Sequence, residues 1–469
     1  MSTHQQVKPA TTAISHPGET ASNAIRARVS DVEPRCLRTY TPSAAVIARS
    51  AGSYHWTPEG RKLADFSSGV LVANLGHNPV RWWNRLREYL GIAYLPDQGD
   101  FHPAFPLSAY NAITELDALA SERIVASLRS QTGGTRMEQV LWAASGGEAI
   151  QKALWAALVR KPGSDIMLAT RGGFHGKKGL AGAVTGNEQD HDRDPRVRFL
   201  SFPTDECCSV KRRKKPIDLA PYRAELDALW AEFGKRICCL VTEPYLGGGG
   251  SFHPQPEYLQ LLEQFCRDHD VVFILDEIQA NFGRTGEMYA FTTYGVEPDV
   301  VVLGKGLGNG VPVSAAVGPA ALFGNLDYGE GSDTWSANPL SSAAVLATID
   351  EFESTDVLQH AKELADVIQQ GLLRLEELPA VAHVRGEGLV WGVECAALGK
   401  RSAGEVANAC VLDCYLGDEQ GRAVHLLGPL AGKVLRVSPP LVMPLEEARE
   451  YLRVMYEIVA RASCTHMRS

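Results

Sequence analysis

The chain has 469 residues, 45% hydrophobic and 22% charged, with 46 Lys and Arg against 55 Asp and Glu. A formal charge of −9 excludes the basic excess that a nucleic-acid footprint requires, while the length is ample for one or more hydrophobic cores. No run reaches the ~18 apolar residues of a membrane-crossing helix, and none of the ten cysteines sits in a C-x-x-C pair, so a reduced, cytoplasmic setting is expected.

Residues 1–30 are polar, without the apolar stretch of a signal peptide, and are expected to form a flexible arm. Residues 31–75 hold turn-rich, strand-like pieces such as GSYHWTPEGRKLADF (52–66) and read as the N-terminal part of a small domain. Residues 76–350 read as a large domain, and over about 138–318 short apolar runs alternate with helical patterns. The runs are QVLWAA (139–144), DIMLAT (165–170), ICCLVT (237–242), VVFILD (271–276), VVVLGK (300–305) and VSAAVG (313–318). The helical patterns include EAIQKALWAALVR (148–160) and PEYLQLLEQFCRDHD (256–270). Near-continuous apolar strands separated by helices predict a mostly parallel sheet covered on both faces. The basic run KRRKK (211–215) reads as a solvated loop in this acidic chain, and HDRD (191–194) as a polar loop. There is no H-E-x-x-H and no clustered His pattern, so no metal is expected. Residues 351–469 return to a helical pattern, with VRGEGLVWGVEC (384–395) and KVLRVSPPL (433–441) as short strands completing the small domain.

Open α/β sheets bind ligands at the carboxyl ends of their strands. Asp276 ends one apolar run and Lys305 another; Glu243 follows a third, and Ser145-Gly146-Gly147 follow a fourth and open a helix. Each has a structural reading when taken alone: a cap or salt bridge for Asp276, an ammonium reaching water for Lys305, a capping box for Ser145 and Glu148. GKGLGNG is not a phosphate-binding P-loop, because G-x-x-x-x-G-K-[ST] is absent. A lysine amine acts as a nucleophile or base only when its surroundings depress its pKa, as a low-dielectric strand end does. Together the residues describe a lysine that forms an imine, an acid that holds a cationic heterocycle, and a helix start that takes an anion. Those needs converge on pyridoxal 5′-phosphate (PLP).

ILDEIQANFGRTG (274–286) and LGKGLGNGVPVSA (303–315), with 29 residues from Asp276 to Lys305, resemble the class III (ω-amino acid) aminotransferases of PLP fold type I. ASGGEAIQKAL (144–154), GGFHGKKGLAGAVTG (172–186), VTEPYLGGGG (241–250), SDTWSANPLSSAAVLATI (332–349) and LRVSPPL (435–441) fall in the family's order, and the resemblance extends over 40–460. It implies an α/β fold: a large domain with a mostly parallel seven-stranded sheet between helices, and a small α+β domain built from the N- and C-terminal segments.

The resemblance also implies roles. Lys305 matches the Schiff-base lysine and Asp276 the acid facing the pyridine nitrogen. Gln279 matches the residue near the ring hydroxyl, and Phe174 the stacking aromatic, with His175 beside it. Ser145, Gly146 and Gly147 match the phosphate loop. Thr334 matches a threonine that reaches the phosphate from a neighbouring subunit, which implies a homodimer with shared active sites. Glu243 and Arg436 match a switch pair: the arginine forks onto an α-carboxylate, and the glutamate pairs with it when an ω-amine is presented. Lys177 stands in the substrate region, where 4-aminobutyrate- and ornithine-type members carry arginine; Gly147 replaces Ser or Thr, Leu246 and Gly248 replace Gln and Glu, and Trp335 replaces a smaller aromatic or Phe. The implied reaction moves an amino group from an ω-amino acid or diamine, 4-aminobutyrate-like, to a 2-oxo acid such as 2-oxoglutarate or pyruvate. The alternative on the same fold is a PLP-dependent aminomutase or racemase.

Overall fold

The computed structural model describes residues 13–95, 99–190 and 193–464; residues 1–12 of the expected arm, and His191 and Asp192 of the polar loop, lie outside the described residues. Three strands come first: β1 (Arg49–Ala51), β2 (Tyr54–Trp56) and β3 (Lys62–Asp65). Seven follow in the middle: β4 (Gln139–Ala143), β5 (Ile166–Thr170), β6 (Val197–Leu200), β7 (Ile237–Thr242), β8 (Val272–Asp276), β9 (Val300–Leu303) and β10 (Ser314–Gly318). The last are β11 (Val381–Glu387), β12 (Val390–Cys395), β13 (Ala423–His425) and β14 (Val434–Val437).

The middle seven form one sheet in the order β4-β10-β9-β8-β7-β5-β6. β6, β5, β7, β8 and β9 run parallel, and β10 lies antiparallel to both of its neighbours. The six apolar runs are all strands of this sheet; the seventh, β6, lies at its edge and carries a half-buried Arg198 that breaks the apolar pattern. The interior strands are buried on both faces because alternate side chains feed opposite cores. Leu168, Leu240, Phe273 and Leu275 share a core with Tyr258, Leu259 and Leu262 of the helix Pro256–His269. Met167, Cys239, Val241 and Ile274 share the other with Ile150, Ala153 and Leu154 of the helix Gly146–Arg160. Cys238 and Cys239 are buried there as small apolar groups.

The N- and C-terminal segments share a second sheet, ordered β1-β2-β3-β13, in which β13 pairs with β3 in parallel. β11, β12 and β14 form an antiparallel third sheet. Fully buried Arg284 fastens the pieces together: it donates to the carbonyls of Leu389 (3.1 Å) and Pro439 (2.7 Å), to Ser68 Oγ (3.3 Å) and to Asn74. Those bonds converge on a turn in which Ser68, Gly69, Val70 and Leu71 all have positive φ, 47°, 58°, 70° and 60°. A left-handed conformation costs a non-glycine residue roughly 1–2 kcal/mol, so the neighbouring bonds must impose it. Ser68 Oγ donates to the Ser438 carbonyl at 2.8 Å, and Ser438 N–H donates back to the Phe66 carbonyl at 2.8 Å.

Two expectations are corrected. The second part of the arm is not loose: Thr20–Val32 is a helix. Glu19, just before it, takes hydrogen bonds from Arg26 (2.7 Å) and Tyr415 (2.9 Å), and Glu59 takes them from Ser22 N–H (2.8 Å) and Oγ (2.7 Å), so the helix is tied to the small domain. The basic run 211–215 is not wholly a solvated loop. Its first part lies in a short helix, Val210–Arg213, and Arg213 pairs with Glu387 on β11 at 2.8 Å.

Candidate active site

Asp276 pairs with Val302 across β8 and β9, so Asp276 and Lys305 emerge side by side at the carboxyl end of the sheet. Lys305 opens a 3-10 turn (Lys305–Gly308) with φ +46°. Burial pulls its ammonium down to about 8; Asp276 and Glu243 oppose that shift and Arg436 adds to it. The three other side chains therefore all act on Lys305 at one place, although Asp276 and Glu243 come from the ends of β8 and β7 and Arg436 from within β14 of the third sheet.

Asp276 is buried and accepts a hydrogen bond from Ile278 N–H at 3.1 Å; its other oxygen lies 2.7 Å from His175 Nδ1. His175, from the loop after β5, is thus a direct partner of the acid, and its Nε2 is buried without a partner. Phe174, next to it, is 38% exposed, so its ring stands free to stack. Its N–H donates to Glu243 Oε1 at 2.9 Å. A Cβ on Gly248 would come within 3.0 Å of Phe174 Cβ, which accounts for glycine at that position.

Glu243 is buried, and burial, with the Asp276 charge, raises its carboxyl to about 7 while His175 opposes the rise. It also accepts from Gly247 N–H at 3.1 Å, whereas Arg436 donates from Nη2 to the Gly247 carbonyl at 3.1 Å. Among the described residues no ion pair joins Glu243 to Arg436; the two hold opposite sides of the same residue, Gly247. Arg436 is buried on β14, burial lowers its pKa, and its Nε has no partner. Gln279 also keeps a buried, unpartnered Oε1.

Ser145 caps the helix Gly146–Arg160 in a capping box with Glu148, whose side chain accepts the Ser145 N–H at 2.9 Å. The N–H groups of Gly146 and Gly147 begin that helix, and first-turn N–H groups have no intrahelical acceptor. The nearest atom to a Cβ on Gly147 is 3.8 Å away, so nothing steric requires glycine there. Lys177 is exposed beyond His175, and Thr334 and Trp335 (62%) are exposed on the loop before the helix Pro339–Ser354. Within the chain Lys177 and Thr334 are not drawn into the buried cluster.

These residues fit PLP. A depressed amine, a buried carboxylate, free first-turn N–H groups, an exposed aromatic face and three unpartnered polar atoms (Gln279 Oε1, His175 Nε2 and Arg436 Nε) match the imine, ring nitrogen, phosphate, ring and polar substituents of that group. Sequence reasoning left two neighbours unread. Glu277 is fully buried, its carboxyl raised to about 8 by burial, and it caps the short helix Ala290–Tyr294 by accepting from Ala290 N–H (2.7 Å) and Phe291 N–H (2.6 Å). Arg284 stands eight residues after Asp276. Neither gave a sequence signal beyond its place in ILDEIQANFGRTG (274–286); it is the structure that buries both.

Known proteins resemble the chain over nearly its full length. The family model for Aminotransferase class-III matches residues 37–459. An acetylornithine aminotransferase from Vibrio vulnificus is 30% identical over 413 residues, 88% of this chain and 92% of that protein. An ornithine aminotransferase from Emericella nidulans is 26% identical over 90% of this chain and 87% of its own. Among solved structures, an amine transaminase from an uncultivated Pseudomonas species, in a PLP-bound form, superposes with a TM-score of 0.72 at 25% identity, covering 93% of this chain and 97% of that one. An ornithine aminotransferase from Toxoplasma gondii shares the fold with a TM-score of 0.78 at 21% identity, over 96% and 97% of the two chains.

Proposed function

The chain belongs to the class-III aminotransferase family, it is a transaminase and its cofactor is pyridoxal 5′-phosphate; from that premise we propose that it takes the amino group from the ω-amine of an ω-amino acid or diamine and passes it to a 2-oxo acid. The observation that carries this reading is the placement of Glu243 and Arg436 about Gly247. Buried Arg436 has donors to spare and stands near Lys305, so it suits the α-carboxylate of the 2-oxo acid. An ω-amine donor brings methylenes to the same place, and Glu243 is then the charge that compensates the arginine. The curated relatives named for acetylornithine and ornithine widen the donors to test beyond 4-aminobutyrate. Exposed Lys177 supplies one positive charge, without a bidentate fork, for a distal carboxylate.

When bound, the cofactor supplies an aldehyde and a protonatable ring that draws electrons from the substrate carbon. The chain's own groups do the rest. Lys305 Nζ would hold the cofactor and, once freed by the substrate amine, would accept the proton from the substrate carbon and deliver it to the cofactor carbon that had carried the aldehyde. Asp276, steadied by His175 and Ile278 N–H, would hold its carboxylate beside the ring nitrogen. Phe174 would cover the ring, Gln279 would face its hydroxyl, and the Gly146 and Gly147 N–H groups would take the phosphate.

Each donor of a panel (ornithine, N-acetylornithine, 4-aminobutyrate, putrescine) assayed separately with pyruvate and with 2-oxoglutarate should show transfer from a terminal amine that requires the 2-oxo acid. Transfer confined to α-amines overturns the donor class, and product formed without a 2-oxo acid points to an aminomutase or racemase.

We propose further that two copies complete the site, with Thr334 donating to the partner's phosphate. Support comes from Thr334 itself, exposed beside Trp335, and from large apolar side chains left in water: Phe101 (96%), Ile113 (92%) and, six residues before Thr334, fully exposed Tyr328. Light scattering should give a dimer, and Thr334→Ala should weaken cofactor binding about tenfold; a fully active monomer removes the proposal.

A further inference from the structure

The small domain contains a buried cluster that amino transfer does not use. His55 on β2, Asp65 at the end of β3 and His425 at the end of β13 each offer one ligand atom, and the three atoms lie within 4.8 Å of one another. The sheet registers place them together: β13 runs beside β3 with His425 paired to Asp65, and His55 is paired to Leu63 on β3's other side.

The spacing of the three groups suits ligands of a single ion. His55 Nε2 stands 3.6 Å from Asp65 Oδ2, beyond a normal hydrogen bond. Two ligands each ~2.0–2.1 Å from a tetrahedral ion stand about 3.4 Å apart, close to that separation. His425 Nδ1 is shut away from solvent with no partner, a condition that buried polar atoms rarely tolerate.

The surrounding groups already do what outer partners of metal ligands do. Ser50 Oγ lies 2.7 Å from His55 Nδ1, which fixes that ring and leaves Nε2 facing Asp65. Asp65 Oδ1 accepts from Ser67 N–H (2.8 Å) and Ser67 Oγ (2.6 Å), and Oδ2 lies 2.7 Å from His77 Nε2. Nothing in the cluster belongs to the Lys305 site, and sequence reasoning, looking for short-range metal patterns, expected no metal.

We propose that His55, Asp65 and His425 form a binding site for a divalent first-row transition-metal ion of the zinc class, with His77, Ser50 and Ser67 orienting the ligands. Two imidazoles and one carboxylate suit zinc, cobalt or copper and not calcium or magnesium, which require all-oxygen shells. Three protein ligands leave a fourth position open to water. The ion would lock Asp65 and, through Ser67, the left-handed turn at 68–71.

The test uses the full-length holoenzyme without a histidine tag, stripped with a chelator and titrated with Zn²⁺ by calorimetry and with Co²⁺ by visible absorption. One ion should bind per chain, and the Co²⁺ spectrum should lack a thiolate charge-transfer band. His425→Leu should weaken binding at least about tenfold to a hundredfold, as removal of a ligand or its support does, while amino transfer persists. Should that variant not fold, His55→Gln serves in its place, with folding checked by the cofactor's absorbance. No stoichiometric binding, a thiolate band that assigns the ion to the cysteines, or variants that titrate like wild type each overturn the site.

Discussion

Lys305→Ala should lose amino transfer by at least about a thousandfold and should lose the visible absorbance of the lysine-linked cofactor. Proton transfer by a positioned side chain is worth about 10²–10⁴-fold, and this variant also removes the only side chain proposed to hold the cofactor covalently. Its fold should survive, because the amine makes a poor structural element: burial has already drawn it down to about 8, and alanine accepts the left-handed backbone at φ +46° no less well than lysine does. The same depressed value carries a pH prediction. The folded pKa is lowered, so the neutral, nucleophilic amine is present at lower pH than in an ordinary lysine. At pH 7 roughly one chain in ten holds it, against roughly one in 3,000 at a pKa of 10.5. Cofactor capture by the stripped protein should therefore quicken about tenfold per pH unit below 8 and level off above it. Stopped-flow absorbance measures both effects. Retained turnover or retained absorbance in Lys305→Ala sinks the assignment, and a capture rate that is still rising at pH 10 sinks the depressed amine.

The strand ends were legible because burial and chemistry coincide there. A charged residue closing a run such as VVFILD or VVVLGK has no bland explanation on both strands at once, and the sheet places the two ends as neighbours. The capping box of Ser145 and Glu148 was legible for a similar reason, since its partners are three residues apart. What the sequence hid depends on contacts made at long range. His175 meets Asp276 across 101 residues, so its part was visible only as a neighbour of Phe174. Glu243 and Arg436 were expected to pair when an ω-amine is presented; in the chain alone they hold opposite sides of Gly247, an intervening peptide that no spacing reveals. Edge strand β6 was missed because Arg198 interrupts its apolar run. The helix Thr20–Val32 was missed because its anchors, Tyr415 and Glu59, are remote and polar. The histidine cluster was missed because its members come from 55, 65 and 425, a separation no local pattern spans.

Asp276→Asn should bind the cofactor near normally and lose about 10²–10⁴-fold in turnover. The two oxygens of Asp276 have different partners, and a neutral amide can serve both hydrogen bonds without supplying the charge. Asn can keep one oxygen for Ile278 N–H, now 3.1 Å from Oδ1. Its NH₂ then faces His175 Nδ1, and only the His tautomer with the proton on Nε2 can accept from it. That tautomer places a donor where Nε2 is now buried and unpartnered, so the imidazole can adopt it without a steric change. The loss is electrostatic. An opposite charge within ~4–6 Å raises a basic group's pKa by roughly 1–3 units, and an amide contributes none of that. The ring nitrogen would then be mostly neutral at pH 7, and a neutral ring withdraws electrons poorly. Binding should change little, because Lys305, the helix start at Gly146 and the face of Phe174 are untouched. The cofactor's absorbance after gel filtration measures retention, and single half-reactions measure the rate. If the variant releases its cofactor, Asp276 is chiefly a binding group; if it turns over near the wild-type rate, the carboxylate has no part in holding the proton.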